Sequence, residues 1–204
     1  MTAMDGLLLR PMTAADLGAV PIQHQGEPDE VRERIARLGS CAILAFEDGR
    51  HVAQVHFREW TPNVRSTNGL WDPLYWWDFP GLALDFCGAA LNVYCYHVGQ
   101  VKEGDERDPR YQGRGLGKAL LRQLIDWADR AGFAAIVAKG VPPYPTVMGF
   151  MGGQPASVYE THGFETVREW VDPDLREIVV ERGLAPEGVS PDEAARVSCC
   201  VRRR

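Results

Sequence analysis

No apolar run in this chain approaches the roughly 18–20 residues needed to cross a bilayer. The opening Met1-Thr-Ala-Met-Asp5 also lacks the basic stretch and apolar core of a secretory leader. Neither membrane insertion nor export is expected, and a cytoplasmic protein is. Cysteine is sparse: Cys41, Cys87, Cys95, Cys199 and Cys200 make five. The odd number and the absence of C-x-x-C spacing argue against a disulfide framework or a zinc site. Cys41, Cys87 and Cys95 read as small core-type residues near strands. No histidine, cysteine or carboxylate grouping has the spacing of a ligand set, so no metal is expected. A basic excess is missing too, since 22 Lys and Arg against 28 Asp and Glu leave a formal charge of −6. General affinity for nucleic acid is therefore not expected. The one dense basic run, Arg202–Arg204, reads as a solvated end. Overall acidity suits a cationic substrate.

What is present is an alternation of strand and helix patterns in 204 residues, without internal repeats. Gly6–Arg10 predicts a short strand, and Thr13 with Asp16 a helix start of capping-box type. Val31, Ile35 and Leu38 share one face of a helix over Glu30–Leu38, stopped by Gly39. Cys41–Glu47 and His51–Trp60 predict strands joined at the Asp48-Gly49 turn. Leu91–Val101 predicts another, and Lys102–Asp108 is a polar insert. Leu116, Leu120, Leu124, Trp127 and Ala131 then repeat at helical spacing up to Gly132. Phe133–Lys139 predicts a buried strand. Gly140–Gln154 reads as a long loop, Pro155–His162 as a short helix ended by Gly163, and Phe164–Trp170 and Leu175–Glu181 as two last strands. Residues 1–183 form the expected domain, and 184–204 a loosely held C-terminal tail. Trp60–Leu84, with Trp60, Trp71, Tyr75, Trp76, Trp77 and Phe79, is a long aromatic loop of the functional or mobile kind. Its rings have two open readings, a substrate pocket or the packing of a loop or homodimer face.

The chemistry concentrates in Gln112-Gly113-Arg114-Gly115-Leu116-Gly117-Lys118, which opens the amphipathic helix. Glycines remove side chains where a ligand must meet backbone. The first N–H groups of a helix lack internal partners and point outward with the positive end of the dipole. That combination suits a pyrophosphate, and Arg114 and Lys118 add charge at the rim. A Walker loop does not fit, because Ala119 follows Lys118 and Gln112 stands where the first glycine belongs. A dinucleotide fingerprint does not fit either, because the segment is not an N-terminal strand–helix unit.

Gln112-x-x-Gly115-x-Gly117 resembles the Gln/Arg-x-x-Gly-x-Gly/Ala signature of the GNAT superfamily of acyl-CoA-dependent N-acyltransferases. Tyr159-Glu-Thr-His-Gly-Phe164 is similar to that family's Tyr-x-x-x-Gly-Phe, and Leu9-Arg10-Pro11-Met12-Thr13 through Asp16 to its first strand and helix start. The ordered set covers about residues 7–181. The insert Lys102–Asp108 is longer than usual there, and the loops Trp60–Leu84 and Gly140–Gln154 are long too, so substrate identity does not carry over.

The resemblance implies an α/β fold: a mixed, mostly antiparallel central sheet flanked by helices, with splayed middle strands. It also implies acetyl-CoA as co-substrate, held by Val101, Gln112, Gly113, Arg114, Gly115, Leu116, Gly117 and Lys118. Direct attack of an amine in a ternary complex follows, with no covalent acyl-enzyme and the carbonyl polarised by a backbone N–H near His97–Val101. Tyr159 becomes the general acid for the leaving thiolate, against the plainer reading of a packing tyrosine. His97, late in the strand that splays at the acyl centre, becomes a candidate base, against that of a core histidine. Glu103, Asp85, Asp78 or a water chain are alternatives, while His51, His56 and His162 read as structural or surface residues. Trp71, Tyr75, Trp76, Trp77 and Tyr144 are candidates to line the site of a small-molecule amine. A non-catalytic acyl-CoA-binding sensor, or an interaction module, on the same fold are the alternative functions.

Overall fold

The alternation read from the sequence is realised in a computed structural model, which describes residues 6–22, 24–61, 79, 82–100, 102, 104 and 106–204. Trp71, Tyr75, Trp76, Trp77, Asp78, Val101 and Glu103 lie outside the described residues. In chain order the elements are β1 (Leu7–Pro11), α1 (Pro28–Leu38), β2 (Ala42–Glu47), β3 (Arg50–Glu59), β4 (Ala90–Val98), α2 (Leu116–Ala131), β5 (Ala135–Gly140), α3 (Pro145–Met151), α4 (Ala156–Glu160), β6 (Glu165–Val171), α5 (Pro173–Arg182), α6 (Pro191–Ala194) and β7 (Arg196–Arg203). The strands form one seven-stranded sheet in the order β1-β2-β3-β4-β5-β7-β6. β1 with β2, β2 with β3, β5 with β7 and β6 with β7 are antiparallel, and β4 with β5 is parallel. The parallel ladder runs from Ala90↔Ala135 to Val93↔Ala138, while β4 itself continues to Val98.

The chain divides into two compact units, Met1–Arg58 with Tyr96–Ala131, and Glu59–Cys95 with Gly132–Arg204. In the first, Met12, Val20, Val31, Ile35, Cys41, Ala42 and Leu44 make a core under α1. The start of α1 is set by Pro28 in its first turn and a capping box between Glu27 and Glu30, and its stop by Gly39 at φ 88°. Helix α2 buries Leu116, Leu120, Leu121, Leu124 and Ala128 and packs on β1 and β2. Trp127 meets Phe57 with ring centroids 4.8 Å apart. The Thr13 start is a single short turn, Ala14–Asp16, with Asp16 accepting from the Thr13 amide at 2.8 Å.

In the second unit, Trp60, Phe79, Tyr94, Cys95, Ala135, Val137, Cys199 and Val201 form one core. Val141, Val147, Met151, Leu175, Val179, Ala194 and Val197 form another. Of the aromatic segment, Trp60 and Phe79 therefore serve packing, with centroids 5.3 Å apart.

Gly140–Gln154 is not an open loop, because Pro145 starts α3 and Gly152, at φ 59°, ends it. Leu175–Glu181 is not a strand. The Asp172 side chain accepts from the Asp174 and Leu175 amides, Pro173 occupies the first turn and Gly183 closes α5; these caps outweigh the β-branched run Ile178-Val179-Val180. Finally, 184–204 is not a loose tail. It carries α6 and β7, and β7 inserts between β5 and β6. Cys199 and Cys200 are buried there, and burial pushes their thiols up to about 12 and about 11. Unlike Cys41 and Cys95, Cys87 is exposed.

One ion pair ties the second unit together. Lys139 Nζ on β5 lies 2.7 Å from Asp172 Oδ2, with side chains only 12% and 11% exposed. Replacing Asp172 with alanine removes the α5 cap and strands a buried ammonium, an expected loss of about 3 kcal/mol in urea unfolding. Asp172→Asn keeps a capping oxygen and is expected to lose less. A loss near zero for the alanine variant would show that Lys139 reaches water without help.

Candidate functional site

The glycine loop belongs to the first unit and is anchored at both ends. Its approach begins where β4 stops. The Gly99 amide donates to Val52 at 2.8 Å and the Asp108 amide to Gly99 at 2.9 Å, so the polar insert leaves and returns at one neck. Gly99 sits at φ 84°, and a Cβ there would meet the Asp108 carbonyl oxygen at 2.5 Å; both the turn and the close approach require glycine. A single 3₁₀ turn, Pro109–Tyr111, follows, with Asp108 accepting from the Arg110 amide. The Arg110 guanidinium beside Asp108 holds that carboxyl at about 2.

Gln112 then donates from Nε2 to the Val98 carbonyl at 2.6 Å. This is a physical reason for glutamine at that place in the motif, since it ties the loop to the end of β4. Gly113 and Gly115 take φ 70° and 79°, and an added Cβ at either meets nothing within 4 Å. Their lack of a side chain is thus a demand of backbone conformation, and the space above them is open. Leu116 is buried and opens α2, while Lys118 is exposed. The Ala119 amide donates to Gly115 at 3.1 Å, so the amides of Leu116, Gly117 and Lys118 stand in the first turn with no carbonyl one turn behind them. A cradle of open backbone at the positive end of a 16-residue helix fits a pyrophosphate.

Arg114 does not project freely. It pairs with Glu47 at the end of β2, 2.5 Å from Nη2 to Oε1, and its guanidinium lies 5.4 Å from the Tyr111 ring centroid. Glu47 was not among the sequence candidates. No spacing signal links it to the loop, because the strand order alone brings the two together.

His97 also lies in the first unit, 2% exposed. Its ring is 5.2 Å from that of His24 and 4.9 Å from that of His56, and its Nε2 has no hydrogen-bond partner among the described residues. Burial, followed by the neighbouring His24 and Arg107 charges, brings its pKa down to about 3. Burial likewise takes His51 to about 4 and puts His56 well below the usual range. His51 and His56 are thus core residues, as expected. His24 and His97 have donor atoms within 4.8 Å of each other, an imidazole pairing that sequence spacing did not reveal.

In the second unit, Tyr159 on α4 is 1% exposed. The local sequence explains its placement. Gly140 lets β5 approach α4 so closely that a Cβ would stand 3.1 Å from Ala156 backbone. Gly163 at φ 81° turns the chain back, the Phe164 amide donates to the Tyr159 carbonyl at 3.2 Å, and the two rings meet at 5.2 Å. The Tyr-x-x-x-Gly-Phe spacing is that of a helix end folding onto its own tyrosine. His162 is anchored by Nδ1, 2.8 Å from the Val158 carbonyl oxygen. Tyr144 precedes α3 and is half-buried against the Val147–Val179 cluster. Asp85 is exposed.

Residues 16–164 match the acetyltransferase (GNAT) family. No curated protein sequence matches the chain. Among solved structures, a GNAT-family acetyltransferase from Streptococcus pneumoniae superposes with TM-score 0.53 at 14% identity, covering 97% of this chain and 99% of the other. The putative acetyltransferase yncA from Salmonella typhimurium, solved with acetyl-CoA, gives 0.51 at 18%, covering 98% and 94%. The ribosomal-protein-S18-alanine N-acetyltransferase of Escherichia coli gives 0.51 at 15%, covering 97% and 93%. At such identities the likeness is one of fold. No helix among the described residues is long and apolar enough to cross a membrane.

Proposed function

Because the chain belongs to the GNAT acetyltransferase family, we propose that it transfers an acetyl or other short acyl group from coenzyme A to an amine. The observation that carries this reading is the Gln112–Lys118 loop, tied to Val98 and open above Gly113 and Gly115. Acyl-CoA supplies the activated thioester. The loop amides and the first turn of α2 hold its pyrophosphate, with Arg114 and Lys118 adding charge at the rim. Fixing the thioester in this way supplies the alignment that a bimolecular acyl transfer otherwise lacks. The amine nitrogen forms the new bond to the acyl carbon as the carbon–sulfur bond breaks. Tyr159 donates its phenolic proton to the departing sulfur.

His97 does not suit the base role. Burial holds its pKa down to about 3, too low for a base that takes up a proton at neutral pH, and in our reading the amine's proton passes to water. The acceptor we favour is a small cationic amine, which the charge of −6 supports; half-buried Tyr144 is a candidate to contact it. A peptide amine is the competing acceptor, to be distinguished by free-thiol release with small amines against short peptides.

The test of the site is calorimetric titration with acetyl-CoA, repeated on Gly115→Asp. Native protein is expected to bind in the micromolar range. The variant, with a side chain at φ 79° and a negative charge at the anion cradle, is expected to bind at least about 30-fold more weakly. Equal binding by the two would move the cofactor away from this loop.

A further inference from the structure

The Arg114–Glu47 contact poses a problem for an anion site, and its solution rests on the acyl-CoA reading above. Glu47 accepts from Arg114 Nη2 at 2.5 Å and from Nη1 at 3.4 Å. Tyr111 is buried, so the ring under the guanidinium is a fixed platform. All three residues belong to the first unit, and Glu47 comes from the end of β2, far from the loop in sequence.

A carboxylate at the rim of a phosphate cradle opposes its purpose in two ways. It repels the incoming anion, and it occupies the guanidinium edge that a phosphate would take, since both acceptors use the same planar fork. Yet the contact is built so that it can exchange. The Arg114 and Glu47 side chains are 40% and 26% exposed, so water and salt weaken the pair. The coenzyme A pyrophosphate, with more charge and more acceptor oxygens than a single carboxylate, competes well for it. When the carboxylate lets go, the Tyr111 ring still supports the guanidinium.

We propose that Glu47 is a positioning residue that keeps Arg114 in reserve over Tyr111 and yields it to a phosphate of the bound coenzyme A. Its effect is to lower affinity for the cofactor and to speed release of the coenzyme A product.

The test is titration and stopped-flow dissociation of coenzyme A and of inorganic pyrophosphate on four proteins: native, Glu47→Gln, Arg114→Gln and the double variant. At low ionic strength Glu47→Gln is expected to bind coenzyme A about 3- to 10-fold more tightly, with dissociation slowed in proportion, and the gain should shrink below about twofold in roughly 0.5 M salt. Arg114→Gln is expected to weaken binding, and Glu47→Gln to have almost no effect in that background. A merely structural Glu47 would show neither the salt dependence nor the dependence on Arg114.

Unchanged or weaker binding by a folded Glu47→Gln variant overturns the proposal. So does an Arg114→Gln variant with native affinity, a result that reports even where Glu47→Gln folds poorly. Failure of native protein to bind coenzyme A or acetyl-CoA overturns the acyl-CoA reading instead. Pyrophosphate binding that still tightens in Glu47→Gln would then leave the exchange between Glu47 and an anion standing.

Discussion

Lowering the pH from 7 to 5 is expected to cost the protein roughly 4 kcal/mol of stability through His51 and His97, which fold neutral, with His56 acting in the same direction. His51 and His97 titrate at about 4 and about 3 in the folded state, and His56 well below its usual range, burial being the largest cause for each. An unfolded histidine titrates near 6.5. Each pKa is depressed on folding, so the unfolded chain binds more protons as pH falls, and stability is full above 6.5 and lost below it. By pH 5 His51 and His97 each contribute a loss of about 2 kcal/mol, a large part of the stability of many domains. Surroundings reinforce the direction: His24 and Arg107 oppose a charge on His97, and His97, His24 and Arg34 oppose one on His56. Carboxylates titrate mostly below this window, which makes it diagnostic. Urea unfolding at pH 7, 6.5, 6, 5.5 and 5 measures it, and a flat profile would mean that water reaches these rings.

Replacing Tyr159 with phenylalanine is expected to lower kcat by on the order of 10³-fold, within the range for losing a positioned general acid. KM for acetyl-CoA is expected to change by less than about twofold. The substitution keeps the ring and its contact with Phe164 at 5.2 Å and removes only the oxygen. Without it, the thiolate must leave unprotonated or take its proton from water. A kcat within twofold of native would sink the acid role and leave Tyr159 as the packing residue that its 1% exposure also describes. The thermal midpoint of the variant separates the two cases, because loss of turnover with an unchanged midpoint belongs to chemistry.

Much of this site is written in short stretches of chain. Gly113 and Gly115 need positive φ, Gly163 turns Phe164 back onto Tyr159, and α2 carries its apolar stripe at helical spacing. Each is a local demand on backbone or periodicity, which is why residue types and spacing expose it. Local signals were also available where the reading failed. Asp172, Pro173 and Gly183 mark α5 as a helix, but Ile178, Val179 and Val180 suggested a strand.

Other features have no local trace. Nothing in Arg196–Arg203, which begins and ends with charge, announces a strand held on both sides, yet β5 and β6 pair with it along its length. The Lys139–Asp172 and Arg114–Glu47 pairs join residues remote in sequence, and the imidazoles of His24 and His56 reach His97 from separate segments. Sequence alone was enough for the family, the positive-φ glycines and the turn that sets Phe164 against Tyr159, because a loop's dihedrals and a helix's periodicity are properties of neighbouring residues. The partner of Arg114, the burial of His97 and the place of the last strand came from the folded chain alone, because strand order and burial are properties of contacts that do not exist until distant segments meet.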